Sequence, residues 1–546
     1  MSPRRRLLLA VLLVCALAVA TLVLGARWAW DSARVEPDRG GSFVEAVAGR
    51  PQYINPLLSQ FNDVDRDIVS LVFAGLTKVG NNGRPEPDLA ERWEVSDEGK
   101  VYTFRLRADR KWHNGEPVTV DDVAFTIRLL QDPKFPGLPD MAASWKGIAV
   151  QKVDERTIRF TLPAPYGPFL EQASLGILPA HQFGNTPAAT LLEHAFNGFP
   201  VGAGPYKVTQ ASLQQVTLVP DPAYPGPKPY HDSLVFKFYP SARAALTAVL
   251  QGEASGARAV PADELARLWQ DKRVSLLTAP LVGRAAVLFL NARQAPFDET
   301  NVRRAVAMAV DRAALVEGAL TGQGQAAYGP VSPLSWAYRP SSPPQPDLEL
   351  ARAQLEASGW KDIDGDGVRE RSGKPLVVTL ATSTAPERQA VARTLTAQLA
   401  KIGFKVVVAA ESWEEFREER VARRDFTAAL ADVWLPNYDP DCYAFWHSSQ
   451  ALSGLNLSGW SSAKADELLD QGRRAGTDGA RTEIYAEFQS LFAAESPAVF
   501  LYYPSYSYVL AAEVKGASLD ALLDPSERFR TFPAWYSRTK KVLFAP

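Results

Sequence analysis

The chain has 546 residues, of which 46% are hydrophobic and 22% are charged, and its formal net charge is -2. A single hydrophobic core rarely serves a chain of this length, so we expect at least two lobes. The balanced charge, with no basic run beyond the first six residues, argues against a nucleic-acid-binding protein.

The N-terminus carries a hydrophobic segment that predicts export. Three arginines precede an uncharged run over residues 7–26, and about 20 apolar residues are enough to cross a bilayer as a helix. We therefore predict a membrane anchor within residues 1–30, with residues 31–546 on the outer side. The alternative is a signal peptide cleaved after the small residues Ala18-Val19-Ala20.

A capped helix is predicted in the first half of the chain. Thr119 is followed three residues later by Asp122, which is the spacing of a capping box. Val123, Ile127 and Leu130 then recur on one face of a helix. Acidic residues at this position stabilise the helix N-terminus, so we do not interpret them as catalytic.

The second half contains a strand, a helix and another strand. The apolar, β-branched run at 375–384 is typical of a strand, Pro386 suits the first turn of a helix, and Gly403 ends that helix. Short connections between such elements predict a βαβ unit with parallel strands and a right-handed crossover. Because ligands of these α/β sheets bind beyond the carboxyl ends of the strands, we expect Ser383 and Thr384 to line a cleft.

The sequence lacks common catalytic motifs. We find no G-x-S-x-G elbow, no H-E-x-x-H, no P-loop and no dinucleotide fingerprint, so we predict neither an enzyme nor a bound cofactor. One metal candidate remains: Asp362, Asp364 and Asp366 match the first half of a calcium loop, with Glu370 at its ninth position. Gly373 stands where that loop needs a bidentate acid, so a tight Asp-Gly turn is the preferred interpretation.

Six motifs in order carry a family resemblance. They are INPLLSQ (54–60), LVFAGLTKV (71–79), PDLAERWEVSDEGKVYTFRLRADRKWHNGEPVTVDDVAFT (87–126), GAGPYKV (202–208), FLNARQAPFDETNVRRAVAMAVDRAALVEG (289–318) and DGDG (364–367). Over nearly everything from Gly41 to Tyr506 the chain resembles the family 5 extracellular solute-binding proteins of ABC importers. That family includes dipeptide-, oligopeptide- and nickel-binding proteins.

The resemblance implies an architecture and a role. The expected fold is α/β and periplasmic-binding-protein-like (class II type), with two lobes, a hinge and an interlobe cleft behind one N-terminal hydrophobic helix. Lobe one would comprise 41–283, completed by 507–546, and lobe two 284–506. A monomer of this kind would capture a peptide or similar small solute outside the cytoplasmic membrane and deliver it to the permease and ATPase subunits.

The resemblance also points to one loop. In the family this loop follows a strand of lobe two and enters the cleft, and the first aspartate of its D-Y-x-D-P pattern pairs with the α-amino group in peptide binders. Aligned on Asp439, that position is Pro436 here, so the usual charge partner is absent. We expect Trp434 and Tyr438 to supply apolar contact with the solute, and Asn437 and Asp439 to supply polar contact.

Several alternatives stay open from the sequence. Either Asp432 or Asp439 replaces the missing charge partner, or the solute is not held by a free amino terminus. A surface hydrolase would use the same two carboxylates, and a sensory or chaperone-like protein would bind a ligand without transport. The fold does not identify the solute, because this family takes peptides, metal chelates, sugars and opines on one scaffold.

Overall fold

The computed structural model describes residues 12–24, 27, 34–258, 260–339, 345–435 and 437–542. Residues 12–24 form the predicted N-terminal hydrophobic helix. No helix within the described residues is both long and apolar enough to cross a bilayer. The remaining parts of the predicted anchor, residues 7–11 and 25–26, lie outside the described residues.

Helices and strands are interspersed through the rest of the chain, which gives the α/β fold predicted from the sequence. The α-helices are Asp63–Val72, Val120–Gln131, Pro139–Trp145, Phe169–Gln172, Ala180–Phe183, Ala242–Leu250, Leu265–Leu268, Thr300–Ala309, Arg312–Leu320, Leu348–Ala357, Pro386–Ala400, Trp413–Glu415, Tyr443–Trp446, Ala463–Arg474 and Asp478–Glu495.

The strands are β1 Arg34–Asp38, β2 Ser42–Ala48, β3 Thr77–Val79, β4 Pro85–Pro87, β5 Ala90–Ser96, β6 Val101–Leu106, β7 Ala149–Lys152, β8 Thr157–Thr161, β9 Tyr206–Ala211, β10 Gln215–Pro220, β11 Ser233–Tyr239, β12 Gly256–Arg258, β13 Val274–Pro280, β14 Arg284–Leu290, β15 Gly324–Ala326, β16 Glu370–Arg371, β17 Lys374–Pro375, β18 Val377–Ser383, β19 Lys405–Glu411, β20 Ala428–Trp434, β21 Ala498–Ala511 and β22 Arg538–Val542.

The largest sheet is mixed and has the strand order β19-β18-β20-β14-β21-β12-β2-β11-β10-β9, with β13 and β15 also paired to β21. The long strand β21 pairs in both halves of this sheet. Its first residues pair with β14, and its last residues pair with β12 and β13. A smaller antiparallel sheet has the order β5-β6-β8-β7.

Buried apolar side chains form clusters that follow the same division. Two clusters combine residues from before 280 with residues from after 505, as Phe43 and Trp535 illustrate. Two others draw on residues from 282 to 503, together with Leu523. For description we call residues 41–283 and 507–546 lobe one and residues 284–506 lobe two, and the exact boundaries stay a prediction.

The predicted local elements are confirmed. Strands β18 and β19 are parallel and flank the helix Pro386–Ala400. The first strand begins at Val377, later than predicted, because Lys374 and Pro375 pair with β16 in a separate hairpin. The capping box at Thr119 is also present, since its backbone N–H donates to the Asp122 carboxylate at 2.8 Å.

Candidate functional site

Strand ends bring several predicted residues to one edge of the sheet in lobe two. Strand β18 runs parallel to both β19 and β20, so their carboxyl ends meet at this edge. Ser383 ends β18 and is buried, Thr384 follows it and is exposed, and Trp434 ends β20 with 44% of its surface exposed. Arg284, where the chain enters lobe two, is the register partner of Trp434. This edge therefore lies beside the predicted first passage between the lobes.

Asp432, just before this edge, is held by two arginines. Its carboxylate accepts from Arg284 Nε at 2.9 Å and from Arg388, at the start of the helix after β18. Arg388 also donates a hydrogen bond to the hydroxyl of Tyr502. That hydroxyl in turn donates to the Glu387 carboxylate at 2.6 Å. Asp432 is therefore already paired within lobe two.

Asp439 is likewise occupied by an arginine. Arg481 donates to its two carboxylate oxygens at 2.6 and 2.7 Å, and both side chains are buried. An ionic bond from Asp439 to a solute would have to share or replace this ion pair. The proposed contact between Asp439 and the solute stays a prediction.

Tyr438 contacts lobe one rather than open solvent. Its side chain is buried, its hydroxyl donates to Glu527 at 2.9 Å, and Arg530 donates to the same hydroxyl at 2.6 Å. Asn437 is exposed. Pro436, the position of the family's amine partner, lies outside the described residues.

Glu171 of lobe one completes the surroundings of this loop. Its carboxylate accepts the backbone N–H of Tyr438 at 2.8 Å and that of Asp439 at 2.7 Å. Burial raises the pKa of Glu171 to about 7, and the neighbouring carboxylates of Asp439 and Glu527 act in the same direction. Two backbone hydrogen bonds only partly offset these effects.

A cavity of about 390 Å³ lies between the lobes at this loop. Glu171, Asn437, Tyr438, Glu527 and Arg530 all line it. A larger cleft of about 840 Å³ on lobe one adjoins it and shares Glu527 and Arg530 as lining residues. Pockets of several hundred Å³ are typical of small-molecule sites. The structure thus places Asn437 and Tyr438 in a cavity wall, and Ser383, Thr384 and Trp434 at the nearby strand ends.

The acidic loop at residues 362–370 forms the predicted turn. Carboxylate oxygens of Asp362, Asp364 and Glu370 lie within 4.8 Å of one another, without Asp366. Asp362 accepts the backbone N–H groups of Gly365 and Gly367, at 2.8 and 3.1 Å. These hydrogen bonds hold the backbone of the loop in an Asp-Gly turn.

Sequence reasoning missed the partners of the loop. Glu171, Arg481, Glu527 and Arg530 belong to no motif that the sequence displays, and each is more than 40 residues away from the loop residue it binds. Only the tertiary structure brings them together.

Comparisons with known proteins agree with this architecture. Residues 84–453 match the family model described as bacterial extracellular solute-binding proteins, family 5 Middle. The oligopeptide-binding protein AppA of Bacillus subtilis is 30% identical over 492 residues, covering 88% of this chain and 89% of that protein.

Solved structures of relatives superpose on nearly the whole chain. The structure of AppA from Bacillus subtilis in complex with a nonapeptide is 28% identical and has a TM-score of 0.68, covering 92% of this chain and 99% of that one. NikZ from Campylobacter jejuni, in complex with Ni(L-His), is 26% identical with a TM-score of 0.71, covering 91% and 99%. The chain therefore belongs to the family 5 bacterial extracellular solute-binding proteins.

Proposed function

We propose that this protein is the extracytoplasmic solute-binding component of an ABC importer and that its solute is a peptide. The observation that carries the proposal is the cavity between the lobes, lined by Glu171 and Glu527 from lobe one and by Asn437 and Tyr438 from lobe two. A solute enclosed between two lobes can favour their approach through contacts with both. The permease and ATPase subunits would then be its partners.

A peptide is the favoured solute because named relatives of high coverage bind peptides. Besides AppA, these include a probable D,D-dipeptide-binding protein of Escherichia coli, 29% identical over 458 residues. The indole of Trp434, at the carboxyl end of β20, is exposed at the cleft edge. An exposed indole of this kind can supply apolar contact to a side chain of a peptide.

The lobe boundaries belong to this proposal. We place the crossings near Val282-Gly283 and near Tyr503-Ser507. At the first crossing Val282 donates its N–H to Leu522 O at 2.8 Å. A Cβ on Gly283 would lie only 2.0 Å from the carbonyl oxygen of Leu523. Close packing of these two chain segments supports a hinge at this point.

We further propose that residues 7–26 hold the protein to the outer face of the cytoplasmic membrane. The uncharged run in the sequence supports this, with cleavage and secretion as the alternative. Deletion of residues 1–26 should move the protein from the membrane fraction to the soluble fraction without unfolding it. A product in the medium that starts at Thr21 would favour cleavage instead.

A surface hydrolase is less well supported. Asp432 and Asp439, its proposed carboxylates, are each bound to arginine, so both are already engaged within the protein and are not free to act on a substrate. A purified protein that turned over a peptide or glycoside would support a hydrolase. A sensory or chaperone-like role would give solute binding without uptake in a reconstituted transporter.

Isothermal titration calorimetry tests the peptide assignment. The full chain is titrated with peptides of two to nine residues, with sugars and with the nickel–histidine complex. We expect saturable binding of at least one peptide and none of the sugars. If only nickel–histidine binds, or only a sugar, the solute belongs to that class and is not a peptide. The role in solute capture would still hold.

A further inference from the structure

One side chain of lobe one holds two consecutive backbone amides of lobe two. Glu171 Oε1 accepts from the N–H of Tyr438 at 2.8 Å, and Glu171 Oε2 accepts from the N–H of Asp439 at 2.7 Å. Both amides lie in the loop 434–439 that carries the predicted solute contacts. A carboxylate that accepts from two consecutive amides fixes both the position and the orientation of the loop relative to lobe one.

Other contacts hold the side chains of this loop rather than its backbone. Within lobe two, Arg481 binds the side chain of Asp439. Across the lobes, the Tyr438 hydroxyl lies between Glu527 and Arg530. Glu171 differs from both because it binds the main chain, so it constrains the loop whatever side chains stand there.

Glu171 makes these bonds without a neutralising cation. Among the described residues, no lysine or arginine forms an ion pair with it. The carboxylates of Asp439 and Glu527 face it, and the Arg530 side chain lines the same cavity. Each of these carboxylates is bound to its own arginine, Arg481 and Arg530 respectively. The phenols of Tyr166 and Tyr438 also line the cavity, and burial raises their pKa well above the neutral range.

We propose that Glu171 is a positioning residue for the solute-binding loop, and that it takes up a proton when the lobes approach, so that closure is stronger at acidic than at alkaline pH. This inference rests on the proposed function, because it takes the loop 434–439 as a wall of the solute site. A protonated Glu171 keeps its carbonyl oxygen as an acceptor for one loop amide and gives up its bond to the other, but it removes an uncompensated charge from the cavity.

The sign follows from proton linkage. With the lobes together, burial raises the pKa of Glu171 to about 7. When the lobes separate, water reaches the carboxyl group and its pKa falls toward the ordinary value of about 4.3. The state with the higher pKa is favoured by acid. The equilibrium constant for closure should therefore be raised fully below about pH 4.3, by up to a few hundredfold, and should lose this contribution as pH rises through 7.

Hydrogen exchange of the loop amides tests the inference without any solute. Exchange of residues 435–441 in the full chain is measured by mass spectrometry at pH 5.5 and pH 8, and is corrected for the intrinsic pH dependence. In the natural protein we expect about tenfold or greater extra protection at pH 5.5. Equal protection at both pH values would overturn the inference.

Two substitutions at Glu171 separate protonation from simple loss of contact. Glu171→Gln resembles the protonated acid, with one carbonyl acceptor and no charge, so its protection should be equal at both pH values and match the natural protein at pH 5.5. Glu171→Ala removes both acceptors and should lower protection at both pH values. Glu193→Gln, an exposed position in lobe one, is the control and should keep the natural pH dependence.

The outcomes distinguish this inference from the proposed function. If Glu171→Gln keeps the pH dependence of the natural protein, Glu171 is not the titrating group and the inference fails. If Glu171→Ala keeps full protection, the two amide bonds do not position the loop. Peptide binding measured by calorimetry on the same variants reports separately on the proposed function. If near-UV circular dichroism shows that Glu171→Ala is unfolded, Glu171→Gln still decides whether Glu171 is the titrating group.

Discussion

Arg481 and Asp439 form a buried ion pair in which two guanidinium nitrogens donate to two carboxylate oxygens, at 2.6 and 2.7 Å. Arg481 lies on the helix Asp478–Glu495, and its Nε also donates to the carbonyl oxygen of Gly472 at 2.8 Å. The pair therefore ties the candidate solute loop to two helices of lobe two. The sequence suggested Asp439 as a solute contact, but its carboxylate is bound to Arg481 within the protein.

Removing Arg481 should destabilise the protein strongly. Arg481→Met leaves the carboxylate of Asp439 buried without its charge partner, which costs about 3–5 kcal/mol. Urea unfolding measures this cost. Arg474→Met is the matched control, because Arg474 is exposed and pairs only weakly with Asp470, at 3.5 Å, so it should change stability by about 0.5 kcal/mol or less. Adding Asp439→Asn to Arg481→Met should restore part of the loss, and equal losses in single and double variants would contradict the ion-pair argument.

Trp434→Ala should weaken peptide binding without unfolding the protein. The indole is 44% exposed at the end of β20, so little core packing is lost, whereas an aromatic side chain that meets a ligand often dominates binding. We expect a loss of affinity between severalfold and about a hundredfold. Trp413→Ala, at a more exposed tryptophan, should leave affinity unchanged. An unaltered affinity in Trp434→Ala, measured by calorimetry, would place Trp434 outside the solute site.

Restoring the family's aspartate should improve peptide binding. Pro436→Asp supplies a charge partner for an α-amino group, and a hydrogen bond to a charged group contributes about 1.5–3 kcal/mol, or roughly ten- to hundredfold in affinity. The gain should vanish for peptides with an acetylated amino terminus, which calorimetry with matched free and blocked peptides shows. The same peptides test Asp439→Asn. If Asp439 has replaced the missing partner, only the free peptide loses affinity. A gain that is equal for free and acetylated peptides would contradict the role of charge.

Two glycines should respond to alanine in opposite directions. A Cβ at Gly283 would meet the carbonyl oxygen of Leu523 at 2.0 Å, so Gly283→Ala must displace the chain at the proposed hinge. It should cost about 1–3 kcal/mol. Gly318 lies in the helix Arg312–Leu320 with no heavy atom within 4 Å of its Cβ position, so Gly318→Ala should stabilise by about 0.5–1 kcal/mol. Thermal unfolding of both variants checks the contrast, and a tolerated Gly283→Ala would argue against close packing at the hinge.

Short-range patterns in the sequence determined the local elements. The βαβ unit at β18 and β19 and the capping box at Thr119 depend on residues near one another in the chain, where periodicity, Pro and Gly positions have direct physical consequences. Export was also predicted from a continuous apolar run. Six motifs in order were enough to indicate the family, and hence an α/β fold with a cleft, without any single decisive residue.

The tertiary structure alone decided what the candidate loop contacts. Asp439 looked available because no lysine or arginine lies between 430 and 449, yet Arg481 pairs with it from a later helix, and Glu171 reaches the same loop from lobe one. Side-chain type limits the bonds that a residue can form, but it does not specify which distant partner is present. That choice depends on packing between elements far apart in the chain, and no local pattern of residues encodes it.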